Sequence, residues 1–452
     1  MKIKGPADQG MSEATNGENL QNDRNAAIRR GLIKGGLSNS LARVAGVATS
    51  VASIPLVAKT LDTPEYAAYS VFMSLNILFS FVDFGIGSAL LTEFSMAKTL
   101  EQRYELYRRA LKSSFRIAGV VLAFATIAAS IFDVRSILGV NSADSGQVFR
   151  AFVVLILCLA LSVPARLAER VLLASGRSAS IGIVQTLNSF VVLVGLKVAQ
   201  ELNSRLYVVL AITLGTQLLA WAIMHGLALP IWRGRITEVC EDDHSSRSMW
   251  RLGAPFFLLQ LLDLVAFQTD ILVVSHILSE TDVVTYATGF RLFSLIWTTA
   301  ALLMAPFWPV YGGLFTSGSM MDLRRLVGKV WRKSVAITVG AAMVLVVVGP
   351  TVAREWTDRK AFLTREICVL FGITAVLHVL RGALTMPLYA IGAQRVLLLP
   401  TALATAVNVV LSIWLTEIYG VAGPLYGNIA ATCVVSLPSL VFFSQRFLGV
   451  TR

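Results

Sequence analysis

The sequence predicts an all-α polytopic membrane protein with about 12 transmembrane helices. They are expected to form two six-helix lobes, related by a pseudo-twofold axis along the membrane normal and enclosing a central cavity. Three observations lead there: an apolar composition, the number of long apolar runs, and a turn that recurs half a chain later.

Of the 452 residues 55% are hydrophobic and 15% charged, whereas a soluble domain carries about 25% charged residues. Such a chain is an integral membrane protein. Residues 1–34 are the exception: this stretch is polar and is read as a disordered cytoplasmic tail. It has no apolar stretch ahead of a small-residue cleavage site, so no removable signal peptide is expected. Cys158, Cys368 and Cys433 lie in apolar runs and Cys240 stands alone in a charged loop. They form neither a disulfide framework nor a metal knuckle, and no metal or cofactor is expected.

A spanning helix needs about 20 largely apolar residues. By that criterion the first six spans fall near residues 38–60, 66–91, 114–134, 148–173, 180–198 and 205–229. Six more fall near 252–277, 283–311, 333–352, 362–389, 396–416 and 424–443. With the N-terminus inside, the cytoplasmic segments hold 24 of the 39 Lys and Arg, against 9 on the outer side. That excess puts both termini in the cytoplasm. The +12 net charge is therefore spread along one membrane face, with no clustered basic module, and nucleic acid is excluded as a partner.

The turn "KTLDTPEYAAYS" (59–70) is echoed by "HILSETDVVTYA" (276–287), which aligns Leu61 with Leu278 and Tyr69 with Tyr286 at an offset of 217. "LLASGRS" and "LYAIGAQ" align Ala174 with Ala390 and Gly176 with Gly392 at an offset of 216. Two loop matches at nearly one offset imply an N-lobe over 35–229 (first six spans) and a C-lobe over 251–452. Between them, 230–250 is the longest polar stretch after the tail and reads as a cytoplasmic inter-lobe linker. An even number of spans per lobe makes the repeat parallel, with its axis along the membrane normal.

The two halves, the "LDTPEYAAYS" turn, "FVDFGIGSALLTEFSMA" after it and "WRLGAPFFLLQ" opening the seventh span resemble one family. It is the polysaccharide flippases of the multidrug/oligosaccharidyl-lipid/polysaccharide exporter superfamily, and the likeness covers nearly all of the chain beyond residue 35. The resemblance implies carriage of a lipid-pyrophosphate-linked oligosaccharide from the inner to the outer leaflet of the cytoplasmic (inner) membrane, for O-antigen, capsule or exopolysaccharide assembly. It also implies membrane lipids and a polysaccharide polymerase or export machinery as partners.

Charges inside the spans are read independently of that resemblance. A charge at the bilayer centre costs about 2.5–3.5 kcal/mol on insertion scales, so those retained face a cavity or a partner. Arg43, Arg166, Arg291 and Arg381 are the candidate anion site, because a guanidinium stays charged at any depth and grips phosphate oxygens bidentately. Under the repeat offset Arg381 falls within one residue of Arg166. Arg166, Glu169 and Arg170 share a helix face, as do His378 and Arg381. The plainer reading is that Arg166 and Arg170 snorkel to the nearby interface while Glu169 pairs with one of them.

In the seventh span Gln260, Asp263 and Asp270 share a helix face, with Gln268 slightly off it. They are candidates for ion coupling or sugar contacts, together with His378 and Asp83. The structural alternative for either seventh-span acid is a salt bridge to a cavity arginine. Pro306 and Pro309 in "APFWPVYGG" mark a gating bend, since each removes a backbone donor from the eighth span.

Three alternatives to a flippase follow. A cation-coupled multidrug or small-molecule antiporter of the same superfamily would favour an acid-lined aromatic cavity. A membrane-embedded glycan polymerase or ligase would build its active site on a large outer loop, and the outer loops here are short. No H-E-x-x-H, G-x-S-x-G or Walker A motif is present, so no enzyme is expected. A channel would show pore-lining rings contributed by several subunits.

Overall fold

The computed structural model describes residues 38, 41–78, 86–87, 90, 94, 99–140, 143–175, 177–229, 246–304 and 306–448. Every regular element among them is helical. In chain order these are α1 (Leu41–Thr60), α2 (Thr63–Leu78), α3 (Leu100–Ile131), α4 (Val134–Leu138), α5 (Ser145–Ala165), α6 (Leu167–Ala174), α7 (Ser178–Glu201) and α8 (Leu206–Ala228). The second half holds α9 (Ser246–Ile277), α10 (Glu280–Met304), α11 (Phe307–Thr316), α12 (Met320–Trp356), α13 (Arg365–Ala390), α14 (Leu398–Tyr419), α15 (Gly423–Ala431) and α16 (Leu437–Leu448). Residues 1–34, Asp83, Gly176, Cys240 and the 230–245 part of the linker lie outside the described residues.

The chain is a multi-pass helical membrane protein. Nine described segments are long and apolar enough to cross a membrane, and one of them, Gln394–Phe447, runs to 54 residues. That last segment turns back on itself: at Gly423 a Cβ would stand 2.3 Å from the Thr416 nitrogen, and at Gly427 2.9 Å from the Ser412 nitrogen. Only glycine allows α15 to lie this close to α14.

The repeated turn folds alike in both places. Asp62 accepts the Glu65 backbone N–H at 2.8 Å to start α2, and Ser279, 217 residues on, accepts the Asp282 N–H at 3.4 Å to start α10. Short polar side chains ahead of an apolar run supply the acceptor that the first helical N–H groups need. Leu61 is buried and Leu278 packs on the same core. The aligned Ala174 and Ala390 end α6 and α13.

Several boundaries differ from the sequence expectation. The third span begins 14 residues early, because Thr99 and Gln102 form a reciprocal cap and turn the basic stretch before residue 114 into helix. The ninth likewise extends back to Met320 and gives a helix of 37 residues. Both extensions are amphipathic, and a search for apolar runs passes over them. The fourth and eighth spans are each interrupted, at Arg166 after Pro164 and at Pro306. At the second break Met304 ends α10 and α11 starts at Phe307, with Pro309 in its first turn. A proline opens a helix more readily than it continues one, which suits Pro306 to its place directly before α11.

The main core joins the two halves. Tyr66, Tyr69 and Phe72 of α2 belong to the same buried cluster as Tyr286 and Phe293 of α10 and Phe371 of α13. Gly289 admits the Phe371 ring edge, which a Cβ there would meet at 2.3 Å.

Candidate transport cavity

A cavity of about 400 Å³ lies between the halves, walled by α1 and α2 on one side and by α9 and α10 on the other. Tyr69 and Tyr286, the residues aligned by the repeat, both line it. Arg291 projects from α10 into this space. Its Nη1 donates to the Tyr66 hydroxyl at 3.2 Å, and the guanidinium stands 5.4 Å from the Tyr69 ring centre and 5.9 Å from that of Tyr66. The two rings stack on each other with an interplanar angle of 19°. Among the described residues no carboxylate forms an ion pair with Arg291. Tyrosine faces stabilise a cation without neutralising it, so the cavity wall carries a net positive charge at this point.

Gln268 is the other polar wall residue that ties the halves together. Ser74 Oγ lies 2.9 Å from both the backbone oxygen and the side-chain oxygen of Gln268. Nearer the 61–62 turn, the Lys360 amine donates to the Ala58 and Leu61 carbonyls that end α1. A cation at a helix C-terminus satisfies carbonyls left without intrahelical donors. Burial lowers the pKa of the Lys360 amine from its ordinary value, and Asp358, Asp62 and Glu65 oppose that shift. Gly139, at φ +64°, sits against Ser275, whose carbonyl oxygen a Cβ would meet at 2.3 Å. These contacts tie the two halves together at the end bearing the 61–62 and 278–279 turns.

Behind the Tyr286 wall lies a polar cluster. Asp270 is fully buried and accepts from Tyr286 at 3.0 Å, from Ser412 at 3.0 Å and from Asn428 at 2.6 Å. Asn408 donates in turn to Asn428 at 2.5 Å. Four helices, α9, α10, α14 and α15, thus converge on one carboxylate, and the glycine-mediated approach of α15 to α14 brings Asn428 within reach. A buried charge needs such a shell of donors to be tolerated.

Asp263, two turns before Asp270 on α9, pairs with Arg381 of α13 at 2.8 Å, and Arg381 also covers the Phe267 ring at 5.5 Å. The His378 ring packs between Phe267 at 4.8 Å and Trp297 at 5.2 Å. It presents a buried Nδ1 with no hydrogen-bond partner among the described residues. Gln260, one turn before Asp263 on α9, is half-buried. Arg166 rests over Trp221 at 5.0 Å, and the Trp221 indole donates to Glu169 at 3.1 Å. Arg43 is exposed near the start of α1.

The four arginines therefore do not converge: of the set, Arg291 alone lines this cavity. Arg381 is neutralised by Asp263, Arg166 is held by an aromatic ring, and Arg43 lies near the end of its helix. The seventh-span stripe divides as well. Asp263 turns to α13, Asp270 turns into the second half, and Gln268, the off-stripe residue, faces the cavity. Tyr66, Ser74, Lys360, Asn408, Ser412 and Asn428 escaped the sequence reading, although Asn408 and Ser412, four residues apart in an apolar span, already share a helix face.

The fold is that of the MOP-superfamily transporters. An inward-facing multidrug resistance MATE family transporter of that superfamily superposes with a TM-score of 0.70 at 15% identity, over 90% of this chain and 96% of the other. The lipid II flippase MurJ in an inward closed conformation superposes at 0.67 with 12% identity, over 91% and 87%. No protein-family pattern matches the sequence. In sequence the chain is 23% identical to the "Putative O-antigen transporter" of Salmonella typhimurium (strain LT2), over 87% of this chain and 91% of that protein. It is 22% identical to the "Putative O-antigen export protein" of Yersinia pseudotuberculosis, over 84% and 88%.

Proposed function

We propose that the chain is a flippase, not an enzyme. It moves a lipid-pyrophosphate-linked oligosaccharide across the cytoplasmic membrane for O-antigen, capsule or exopolysaccharide assembly, by alternating access between two lobes. The observation that carries this reading is Arg291, a cation on the cavity wall with no carboxylate partner among the described residues. A pyrophosphate drawn into a low-dielectric space needs a substitute for its water, and a guanidinium supplies two parallel donors. The similarity over most of their length to relatives named for O-antigen transport, and the fold shared with a lipid II flippase, support the same cargo class.

With both termini cytoplasmic, the end tied by these contacts is the outer one, and we read this conformation as closed there and open toward the inside. A cavity of about 400 Å³ suits the diphosphate and its first sugar; the remaining sugars would extend toward the cytoplasmic side. Asp270 is the coupling carboxylate in this scheme. Proton or Na⁺ binding there changes the charge that the Tyr286 hydroxyl faces, and Tyr286 is part of the cavity wall.

A cation-coupled drug antiporter fits less well, because no Asp or Glu is among the residues lining this cavity and its unneutralised wall charge is positive. The test is genetic. Cells lacking the chain should accumulate cytoplasm-facing lipid-linked oligosaccharide and lose surface polysaccharide, with the wild type restoring it. Normal surface polysaccharide combined with sensitivity to cationic drugs would give the cargo to the antiporter instead.

A further inference from the structure

A second, larger cavity of about 750 Å³ runs between α10 and α12 and reaches Phe307 beyond the Pro306 break. Its walls are mostly apolar, and two cations stand among its lining residues, Lys329 and Lys333 on successive turns of α12. Both are exposed, and among the described residues neither forms an ion pair. Beyond them the α12 wall continues through Ile337, Ala341 and Leu345. These positions repeat every four residues, so the groove follows one helix face.

We infer that this groove binds one anionic phospholipid, with its headgroup phosphate on Lys329 and Lys333 and an acyl chain along α10 and α12. Length and charge favour this occupant. From Lys333 to Leu345 the helix advances about 18 Å, close to the roughly 15 Å of a single leaflet. A basic pair at the mouth of a groove between spanning helices is the arrangement that takes anionic headgroups. The substrate's phosphate has a different place: Arg291 lies on the central-cavity side of α10, and Leu295, one turn on, lines both spaces. An occupant of the groove thus braces the α10 wall of the transport cavity and the Pro306 break together.

The test uses the full chain in nanodiscs of equal phosphatidylglycerol and phosphatidylethanolamine, with retained lipid read by native mass spectrometry. The wild type should keep one phosphatidylglycerol with at least a tenfold preference. The double variant Lys329→Gln/Lys333→Gln should lower that preference to near unity, and Ala341→Trp, which fills the groove and leaves the charges, should abolish retention of the lipid. Equal retention of the two lipids by the wild type, or a preference that survives the glutamine variant, overturns the inference. Displacement of phosphatidylglycerol by an added polyprenyl phosphate would overturn it as well, and would assign the groove to the transported lipid.

Discussion

Tyr286 donates a 3.0 Å hydrogen bond to the fully buried Asp270 while its ring forms part of the cavity wall. The carboxylate is thereby one side chain away from the space a substrate would occupy. Its remaining donors, Ser412 and Asn428, come from α14 and α15, so a change of charge at Asp270 acts on four helices together.

Asp270→Asn should test this directly. The amide keeps the volume of the carboxylate and removes its charge. The variant should reach the membrane at wild-type levels yet show transport that no longer responds to an imposed proton or Na⁺ gradient. Wild-type gradient dependence in Asp270→Asn, measured in proteoliposomes, would remove Asp270 from the coupling scheme.

Tyr286→Phe should be milder. It deletes one of three donors to Asp270, and a hydrogen bond to a charged group is worth about 1.5–3 kcal/mol. Thermal unfolding in detergent should show a lower Tm than wild type, and transport should slow without being abolished.

Asp263 and Arg381 should couple energetically. Breaking a buried ion pair from one side costs about 3–5 kcal/mol, because the surviving charge is left uncompensated. At 15% exposure for the Arg381 side chain and 36% for Asp263, solvent screening discounts this toward 1–2 kcal/mol, on the order expected for a partly hydrated pair. Arg381→Met should therefore destabilise more than the double variant Asp263→Leu/Arg381→Met, as a Tm series would show.

The fold was legible in the sequence to the extent that apolar runs report it. Such runs locate the spans, but they miss the amphipathic starts of α3 and α12, where charges occupy one face of a continuous helix. The turn repeat pointed to Tyr69 and Tyr286, and both line the cavity. Helical periodicity places Asp263 and Asp270 on one face of the seventh span, but periodicity describes one helix at a time. It does not say that Arg381 and Asp263, 118 residues apart, pair with each other, or that Lys360 reaches Ala58 across 302 residues. For the same reason the proposed four-arginine site reduces, at this cavity, to Arg291.

Gly139→Val should unsettle the closed end. The backbone there has φ +64°, which a β-branched residue resists, and the new side chain would run into the Ser275 carbonyl. A cysteine placed at Ser74 in a cysteine-free background should then react faster with an impermeant maleimide added from outside. Unchanged labelling would mean that this contact does not hold the halves together.

Arg291 gives the most direct measurement: the rate at which proteoliposomes translocate a fluorescent lipid-pyrophosphate-linked saccharide, compared for wild type, Arg291→Lys and Arg291→Ala at equal reconstitution. Losing a charge-assisted phosphate contact of about 1.5–3 kcal/mol should slow Arg291→Ala by roughly ten- to a hundredfold. Arg291→Lys should retain part of the rate, since it keeps the charge but loses the bidentate fork. A wild-type rate in Arg291→Ala would contradict the anion-binding role of the cavity and, with it, the proposed cargo.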